Sequence, residues 1–350
     1  MTSLRRKEEL LEALIKEIAQ TKNYARNETI NTIYIGGGTP SLLDASDIGT
    51  LIEAVSRNHQ TELSEITLEC NPDDLTATKL TELKSLQSIG LNRLSIGVQS
   101  FFDNDLRYMN RAHNSLEAIS SIKNAQDHGF DTLTIDLIYG SPELTNENWI
   151  RNLEQASELK IEHLSCYALT IEPKTKLSKL IKEKKVKKPD SDKASEQFEL
   201  LMQFAKEYSF NHYEISNFAK EGKIAVHNTN YWHSKKYIGI GPAAHSFDGI
   251  SRKWNISNIN TYINGVINNT TFSEIEILNS NDKDNEYIMT SLRTMWGCDL
   301  DKLSEKGREN AISCLKSIDI AWYSKVNNTL ILTDSGKHFA DYIASELFIL

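Results

Sequence analysis

Three things are scarce in this chain, and each scarcity removes a class of function. Positive charge is the first: 39 Lys and Arg stand against 48 Asp and Glu, a formal net charge of −9. A nucleic-acid-binding protein wants a basic face, so this balance argues against one. Long apolar runs are the second. No window is long enough to span a bilayer, and the N-terminus has no signal-peptide core. The expectation is a cytoplasmic protein without a stable membrane span. Paired cysteines are the third. Cys70, Cys166, Cys298 and Cys314 are scattered, and none stands within four residues of another. There is therefore no CxxC, no CxxxCxxC and no zinc-ribbon spacing, and reduced, partly buried thiols are expected.

What is present is an ordinary globular composition, 39% hydrophobic and 25% charged over 350 residues. That length holds one large α/β domain and a smaller one. Residues 4–25 read as an amphipathic helix, with Leu4, Leu10, Leu11, Leu14, Ile15 and Ile18 forming a stripe. Short β-rich runs follow at 32–35, 65–69, 93–99, 132–140 and 162–169, with helical stretches at 43–57, 76–88, 114–127 and 147–158 between them. A sixth run at 212–216 follows a long helix at about 192–209. Sequential strand–helix units of this spacing make a parallel sheet with right-handed crossovers, and five or six of them suit a whole or partial (βα) barrel. Between units five and six lies KTKLSKLIKEKKVKK, residues 174–188, with eight lysines and one glutamate. It reads as a solvated face or, alternatively, an anion-facing surface. Beyond 217 the alternation fades. Helical patterns return at 284–295 and 300–318, then a hairpin over 321–333 turning at Asn327-Asn328, then a helix over 334–347 capped by Asp334 or Ser335. Helices followed by a hairpin suggest a winged-helix-like module, without the basic recognition helix that DNA binding needs.

In a barrel of this kind ligands sit at the C-terminal ends of the strands. Gly36-Gly37-Gly38-Thr39-Pro40 follows the first run, Glu69 and Asn71 the second, Gln99-Ser100 the third. Asp136 lies in the fourth, Tyr167, Ala168 and Thr170 end the fifth, and Arg111 follows the third in MNRAH. Each has an ordinary structural alternative: a turn, a surface ion pair, a buried carboxylate held by hydrogen bonds. Together they suit a zwitterionic, ribose-bearing ligand. Arg111 can hold a carboxylate, while Glu69 or Asp136 can accept from hydroxyls. A phosphate ligand fits less well, because GGGTP lacks the lysine of a phosphate loop. A second constellation, HNTNYW (227–232) with PAAHSF (242–247), sets His227 and His245 among Tyr231, Trp232 and Phe247. It offers metal-ligand capacity beside flat aromatic surface, or simply capping and core histidines.

The motifs IYIGGGTPSLL, EITLECNPDDL, RLSIGVQSF, MNRAH, IDLIYGSP, YALTIEP, HYEISNFA, HNTNYW and GIGPAAHSF make the sequence resemble the oxygen-independent coproporphyrinogen III oxidase-like radical S-adenosylmethionine (SAM) proteins. HNTNYW and the tail resemble the HemW-type haem chaperone branch more than the true oxidases. The resemblance covers essentially the whole chain. It implies an α/β fold: a partial (βα)6 TIM-like barrel over 1–217, a connecting region with the HNTNYW and GIGPAAHS motifs over 218–283, and a smaller helical, winged-helix-like domain over 284–350. By motif it implies that Gly37, Gly38, Thr39, Glu69, Gln99, Arg111, Asp136 and Ala168 bind S-adenosylmethionine. It also implies that His227, with His245 as a weaker candidate, is associated with haem. The function implied is haem binding and delivery to haem-accepting proteins. The alternatives are an oxidase that decarboxylates the propionates of coproporphyrinogen III, or an inert barrel that binds a small molecule or partner.

One part of the family pattern is absent from this chain. The family begins with a strand and a CxxxCxxC loop whose three thiolates hold a 4Fe–4S cluster. MTSLRRKEE resembles the family's sequence just after that loop, so either the first strand and the loop are expected upstream of Met1, or the chain is a cluster-free variant. The four cysteines present match no ligand position, and reductive cleavage of the sulfonium is not expected of the chain as it stands. The strand at 32–36 should then be a sheet edge exposing Ile33 or Ile35, unless helix 4–25 covers it.

Overall fold

The computed structural model describes residues 6–24, 28–173 and 175–349. The first and last positions of the helix expected over 4–25, and Lys174 of the lysine run, lie outside these. Thirteen strands and fourteen α-helices appear among the described residues. In chain order they begin with α1 (Lys7–Gln20), β1 (Ile30–Ile35), α2 (Ala45–Asn58), β2 (Thr61–Cys70), α3 (Ala77–Ser85), β3 (Arg93–Gln99), α4 (Asp103–Tyr108) and α5 (Ser115–Asp127). They continue with β4 (Leu133–Tyr139), α6 (Asn146–Glu158), β5 (His163–Ala168), α7 (Lys176–Lys182), α8 (Ser191–Glu207), β6 (Asn211–Glu214) and β7 (Asn217–Ala219). The remainder is α9 (Val226–Trp232), β8 (His245–Phe247), β9 (Ser251–Asn255), α10 (Ile259–Ile267), β10 (Ser273–Ile277), α11 (Ser280–Ser291), β11 (Cys298–Asp299), α12 (Glu305–Cys314), β12 (Tyr323–Val326), β13 (Thr329–Leu332), α13 (Asp334–Lys337) and α14 (Ala340–Glu346).

The chain divides into two compact units that interleave in sequence. One comprises Met1–Ile33, Leu43–Glu65 and Val226–Leu350; the other comprises Tyr34–Leu42 and Ile66–Ala225. The largest sheet has seven strands in the order β1-β2-β3-β4-β5-β7-β6. From β2 to β5 the neighbours are parallel, as expected of βα units. The sixth unit departs from that expectation. β7, three residues long, inserts between β5 and β6 and pairs antiparallel with both. The polar turn between Glu214 and Asn217 folds the chain back before β6 can dock beside β5. The result is a curled half-barrel, a partial TIM-like barrel of mixed α/β class.

Register gives this sheet two chemically different faces. Leu68, Leu94, Ile96, Ile135, Leu137 and Leu164 are wholly or almost wholly buried and make one face apolar. The alternate residues make the other face polar, because successive side chains point opposite ways. Two rows cross it. In the deeper row Arg93 Nε donates to Thr134 Oγ1 (3.1 Å), and His163 Nε2 meets the Tyr213 hydroxyl (2.8 Å). The next row, nearer the strand ends, runs obliquely: Glu69 lies beside Ser95 and Asp136 beside Ser165 in register, and Ser95 Oγ donates to Asp136 Oδ1 (3.4 Å) across a two-residue offset between β3 and β4. Its far end is fixed by Ser165 Oγ donating to Asn217 Oδ1 (2.6 Å) and by the Asn217–Glu214 hydrogen bond.

Caps fix where the helices begin. Asn114 and Glu117 form a capping box on α5, and the Thr145 hydroxyl caps α6. Trp149, fully buried on α6, donates its indole N–H to the Gln197 carbonyl of α8 (2.8 Å). In the other unit, α1 packs mainly on α2 and α10. Leu10, Ala13 and Leu14 join Tyr262, Ile263, Val266 and Phe272 in one apolar cluster. The helix thus spends its stripe on other helices rather than along β1. β1 stands at one end of the sheet order, and its exposed large side chain is Tyr34, with Ile33 and Ile35 half-buried.

Two other expectations shift at their ends. The helix expected from 284 begins at Ser280, because Asn279 and Asp282 form a second capping box. The final helix is broken into α13 and α14, and its cap is the Thr333 hydroxyl, which accepts from Gly336 N (3.2 Å), rather than Asp334 or Ser335. β12 and β13 do form a hairpin about Asn327-Asn328, joined by β11 into a three-stranded sheet. A second small sheet has the order β10-β9-β8.

Candidate functional site

The site at the strand ends is built around Glu69, the residue before the last of β2. Its Oε1 accepts from the Tyr34 hydroxyl (2.7 Å) and its Oε2 from the Gly37 backbone N–H (3.0 Å). Gly36 makes this clasp possible: a Cβ there would stand 2.5 Å from Tyr34 Cε1 and 2.8 Å from Glu69 Cδ. Gly37 and Gly38 serve a different purpose. Both have positive φ, 74° and 89°, and a Cβ on either would meet nothing within 4 Å. The three glycines therefore make one close approach and then leave bare backbone facing open space. Ser41 Oγ secures this loop by donating to Asp74 Oδ2 (2.6 Å) and accepting from Asn71 N (3.2 Å). Thr39 is half-buried in the same loop.

Asp136 lies in the same row. Burial and the nearby Glu69 carboxylate push its carboxyl up to about 7, against the hydrogen bonds of Ser95 and Ser165 and the charge of Arg111. Part of its surface stays accessible, so it can meet a ligand. Arg111 reaches in from the loop after α4. Its Nη2 donates to Asn71 Oδ1 (3.0 Å) and the Gly97 carbonyl (3.1 Å), while the buried Nε has no hydrogen-bond partner among the described residues. The MNRAH motif explains its placement. Buried His113, held neutral by burial, bonds through Nε2 to the Val98 carbonyl (3.0 Å) and pins the loop to β3.

Gln99 ends β3 with φ of 68°, where the β3–β4 register slips. A Cβ at Gly97 would stand 2.9 Å from Gln99 Nε2 and 3.4 Å from Arg111 Nη2, so Gly97 keeps room for both. Ala168 ends β5, exposed and opposite Tyr139. A cleft of about 480 Å³ opens beside these groups, lined by Gln99, Arg111, Ile138, Leu169, Thr175 and Leu177 among others.

Gly37, Gly38, Thr39, Glu69, Gln99, Asp136 and Ala168 thus lie on or just after strands of one unit, and Arg111 reaches Asn71 and Gly97 among them from the loop after α4. Gly36, named with the glycine run, belongs with them, as do Tyr34, Ser95, Gly97 and Ser165, which were not singled out from the sequence. A signal existed for some. Tyr34 is the amphipathic residue in an otherwise apolar IYI, and Ser165 stands in step with Asp136 once β4 and β5 are aligned.

His227 and His245 belong to the other unit. His227 opens α9, where the N–H groups of Val226 and His227 donate to Glu65 (2.9 and 3.0 Å). Its Nδ1 lies 2.8 Å from Thr32 Oγ1 and its Nε2 3.2 Å from the Tyr231 hydroxyl. Burial lowers its pKa, so the ring is neutral at neutral pH. An edge-to-face aromatic run, His227–Tyr231–Tyr237, lies alongside. His245 is exposed on β8 and stacks against Trp254 instead.

The thiols do not fit an iron–sulfur cluster. Cys70, Cys166 and Cys298 are buried, and burial pushes each thiol up, Cys298 to about 11. Cys70 Sγ is turned to the Leu68 carbonyl (3.6 Å), and Cys314 is half-buried beside Asn310. Among the described residues no three His, Cys, Asp or Glu side chains come together as a metal site.

Residues 2–171 match the model of the radical SAM superfamily. The structure superimposes on the coproporphyrinogen III oxidase HemN from Escherichia coli with a TM-score of 0.81, covering 99% of this chain and 84% of that one at 19% identity. That likeness establishes the fold. The chain is a radical SAM protein with a HemN-type architecture. In sequence it is 31% identical over 338 residues to the heme chaperone HemW of Bacillus subtilis, covering 94% of this chain and 88% of that one. It is 30% identical to the heme chaperone HemW of Mycobacterium tuberculosis over 91% of this chain and 81% of the relative. It belongs to the HemW family.

Proposed function

We propose that this protein binds haem and passes it to acceptor proteins, and that its half-barrel binds S-adenosylmethionine. The observation that carries the haem reading is the setting of His227. In the tautomer that donates Nδ1–H to Thr32 Oγ1, the Nε2 lone pair accepts from the Tyr231 hydroxyl (3.2 Å). With that hydroxyl turned aside, His227 would hold haem iron through Nε2, beside the aromatic rings of Tyr231 and Tyr237. The heme chaperone name of its relatives agrees with this reading.

The strand-end site fits an adenosyl sulfonium amino acid. The bare backbone at Gly37–Gly38 leaves room for its aminoacyl end. Glu69 and Asp136 supply negative charge to an ammonium or sulfonium, and Arg111, with its unpartnered Nε, supplies positive charge to a carboxylate. In this superfamily the bound cofactor supplies a 5′-deoxyadenosyl radical when an iron–sulfur cluster delivers an electron. The thiols of this chain do not fit that cluster, so no radical step forms part of this reading. What these residues do is bind and orient.

A haem titration followed in the Soret band tests the haem reading. The expected result is a saturable shift that His227→Ala abolishes while leaving S-adenosylmethionine binding, read by calorimetry, unchanged. An unaltered haem affinity in His227→Ala would overturn the assignment of that residue.

A further inference from the structure

Residues 175–188 carry seven lysines and one glutamate, in a chain whose formal charge is −9. Taking these six net positive charges away leaves −15 on the remainder. All seven lysines are exposed. Glu183 is their one acidic partner among the described residues, shared by Lys179 (3.9 Å) and Lys185 (2.7 Å). Among the described residues no ion pair engages Lys182, Lys184, Lys187 or Lys188. A solvated helix face usually mixes signs at i, i+4, as α1 does; a one-sign block repels itself within a Debye length of about 8 Å. Something must keep it ordered.

The fold does so at two points. Lys176 Nζ donates to Asn110 Oδ1 (2.7 Å), and the Tyr108 hydroxyl donates to the Lys187 carbonyl (2.7 Å). Both anchors lie on or just after α4, next to Met109 and Arg111 of the cleft. Thr175, Lys176 and Leu177 themselves line that cleft. The lysines therefore form a fixed wall that begins at the cleft mouth and runs outward, not a loose tail.

We propose that this wall is a docking surface for an acidic face of a partner protein. Its chemistry favours that occupant over other polyanions. The segment contains no arginine and no aromatic residue, so it lacks both the forked donors that grip phosphates and the rings that stack on bases. Leu177, Leu180 and Ile181 are half-buried in the fold, which leaves α7 no free apolar face to insert into a bilayer. The remaining −15 opposes any extended, uniformly anionic surface such as a duplex or a charged membrane. A small acidic patch on a folded protein matches a positive patch of this size. The proposal goes beyond the haem reading and does not need it.

The test uses the full chain and a fluorescein-labelled oligoglutamate peptide read by anisotropy, beside single-stranded DNA and phosphatidylserine-containing vesicles. The expected result is peptide binding that weakens at least about ten-fold between about 0.02 M and about 0.2 M salt. It should weaken by a similar factor in Lys182→Glu/Lys184→Glu/Lys187→Glu/Lys188→Glu. Haem titration should be unchanged in that variant, which separates a failure here from a failure of the haem reading. If charge reversal impairs folding, the corresponding four Lys→Gln changes serve instead. Binding that survives the substitutions, absence of binding at low salt, or tighter binding of DNA or vesicles would each overturn the proposal.

Discussion

Gly36 and Gly37 are adjacent, and the structure separates their roles sharply enough to be tested. In Gly36→Ala the new methyl would sit 2.5 Å from Tyr34 Cε1 and 2.8 Å from Glu69 Cδ. Glu69 must move, and its bonds from the Tyr34 hydroxyl and the Gly37 amide go with it. Hydrogen bonds to a charged group contribute about 1.5–3 kcal/mol each, and overpacking costs about 1–3 kcal/mol. Tyr34 is 41% exposed and Glu69 half-exposed, so water recovers much of the hydrogen-bond loss. The net destabilisation should be about 1–2 kcal/mol. Affinity for S-adenosylmethionine should fall about ten-fold or more, because the displaced carboxylate enters the space that a ligand would use. In Gly37→Ala nothing collides. The cost there is the left-handed backbone, about 1–2 kcal/mol, with Glu69 left in place. Urea unfolding and calorimetric titration of the two variants give the comparison. Equal stability losses with a much larger affinity loss in Gly36→Ala is the expected pattern. If Gly36→Ala binds the ligand as the unchanged chain does, the clasp is not part of the site.

Three further outcomes are expected. The raised carboxyl of Asp136 means that the folded chain keeps a proton that the unfolded chain releases between pH of about 4 and about 7, so stability should decline across that window and stay lower above it. Binding of a cationic ligand needs the carboxylate, so affinity should rise with pH up to about 7; Asp136→Asn should flatten both profiles, and a titration that stays sloped in that variant would point to another group. Glu17, fully buried on α1, accepts from Gly241 N (2.8 Å), Asn255 Nδ2 (2.7 Å) and the Tyr262 hydroxyl (2.5 Å). Glu17→Gln puts a donor against donors and should cost about 1–3 kcal/mol in urea unfolding, whereas a loss under about 0.5 kcal/mol would show that the cluster repacks freely. Tyr231→Phe removes the hydroxyl that covers His227 Nε2, so haem affinity should hold or increase; a loss as large as that of His227→Ala would show that the tyrosine itself binds.

Much of this was legible in the residues because the determinants were local. The βα repeats, the hairpin at Asn327-Asn328 and the polar strand ends follow from periodicity and turn chemistry within short windows. Motif order carried the family and with it the half-barrel. What escaped depended on partners distant in sequence. Tyr34 is an unremarkable strand residue until Glu69 is placed opposite it. Gly97 looks like a weak point in β3 until Gln99 and Arg111 are seen to need its missing side chain. β7 was hidden because three residues carry no periodicity, and only pairing with β5 makes them a strand. Glu17 read as one charge among many on α1, since nothing nearby announced that Gly241, Asn255 and Tyr262 would converge on it.

The backbone at Gln99 constrains how such a site can diversify. Its dihedral disfavours β-branched side chains, and a Cβ at Gly97 would push the side-chain ends of Gln99 and Arg111 out of the positions they now hold. New ligand preferences must therefore arise on the opposite bank, where Ile138, Leu169 and Leu177 hold ordinary geometry and can exchange bulk without disturbing the chain that carries them. One bank of the pocket is tied to unusual backbone, and the other is held by ordinary side chains alone.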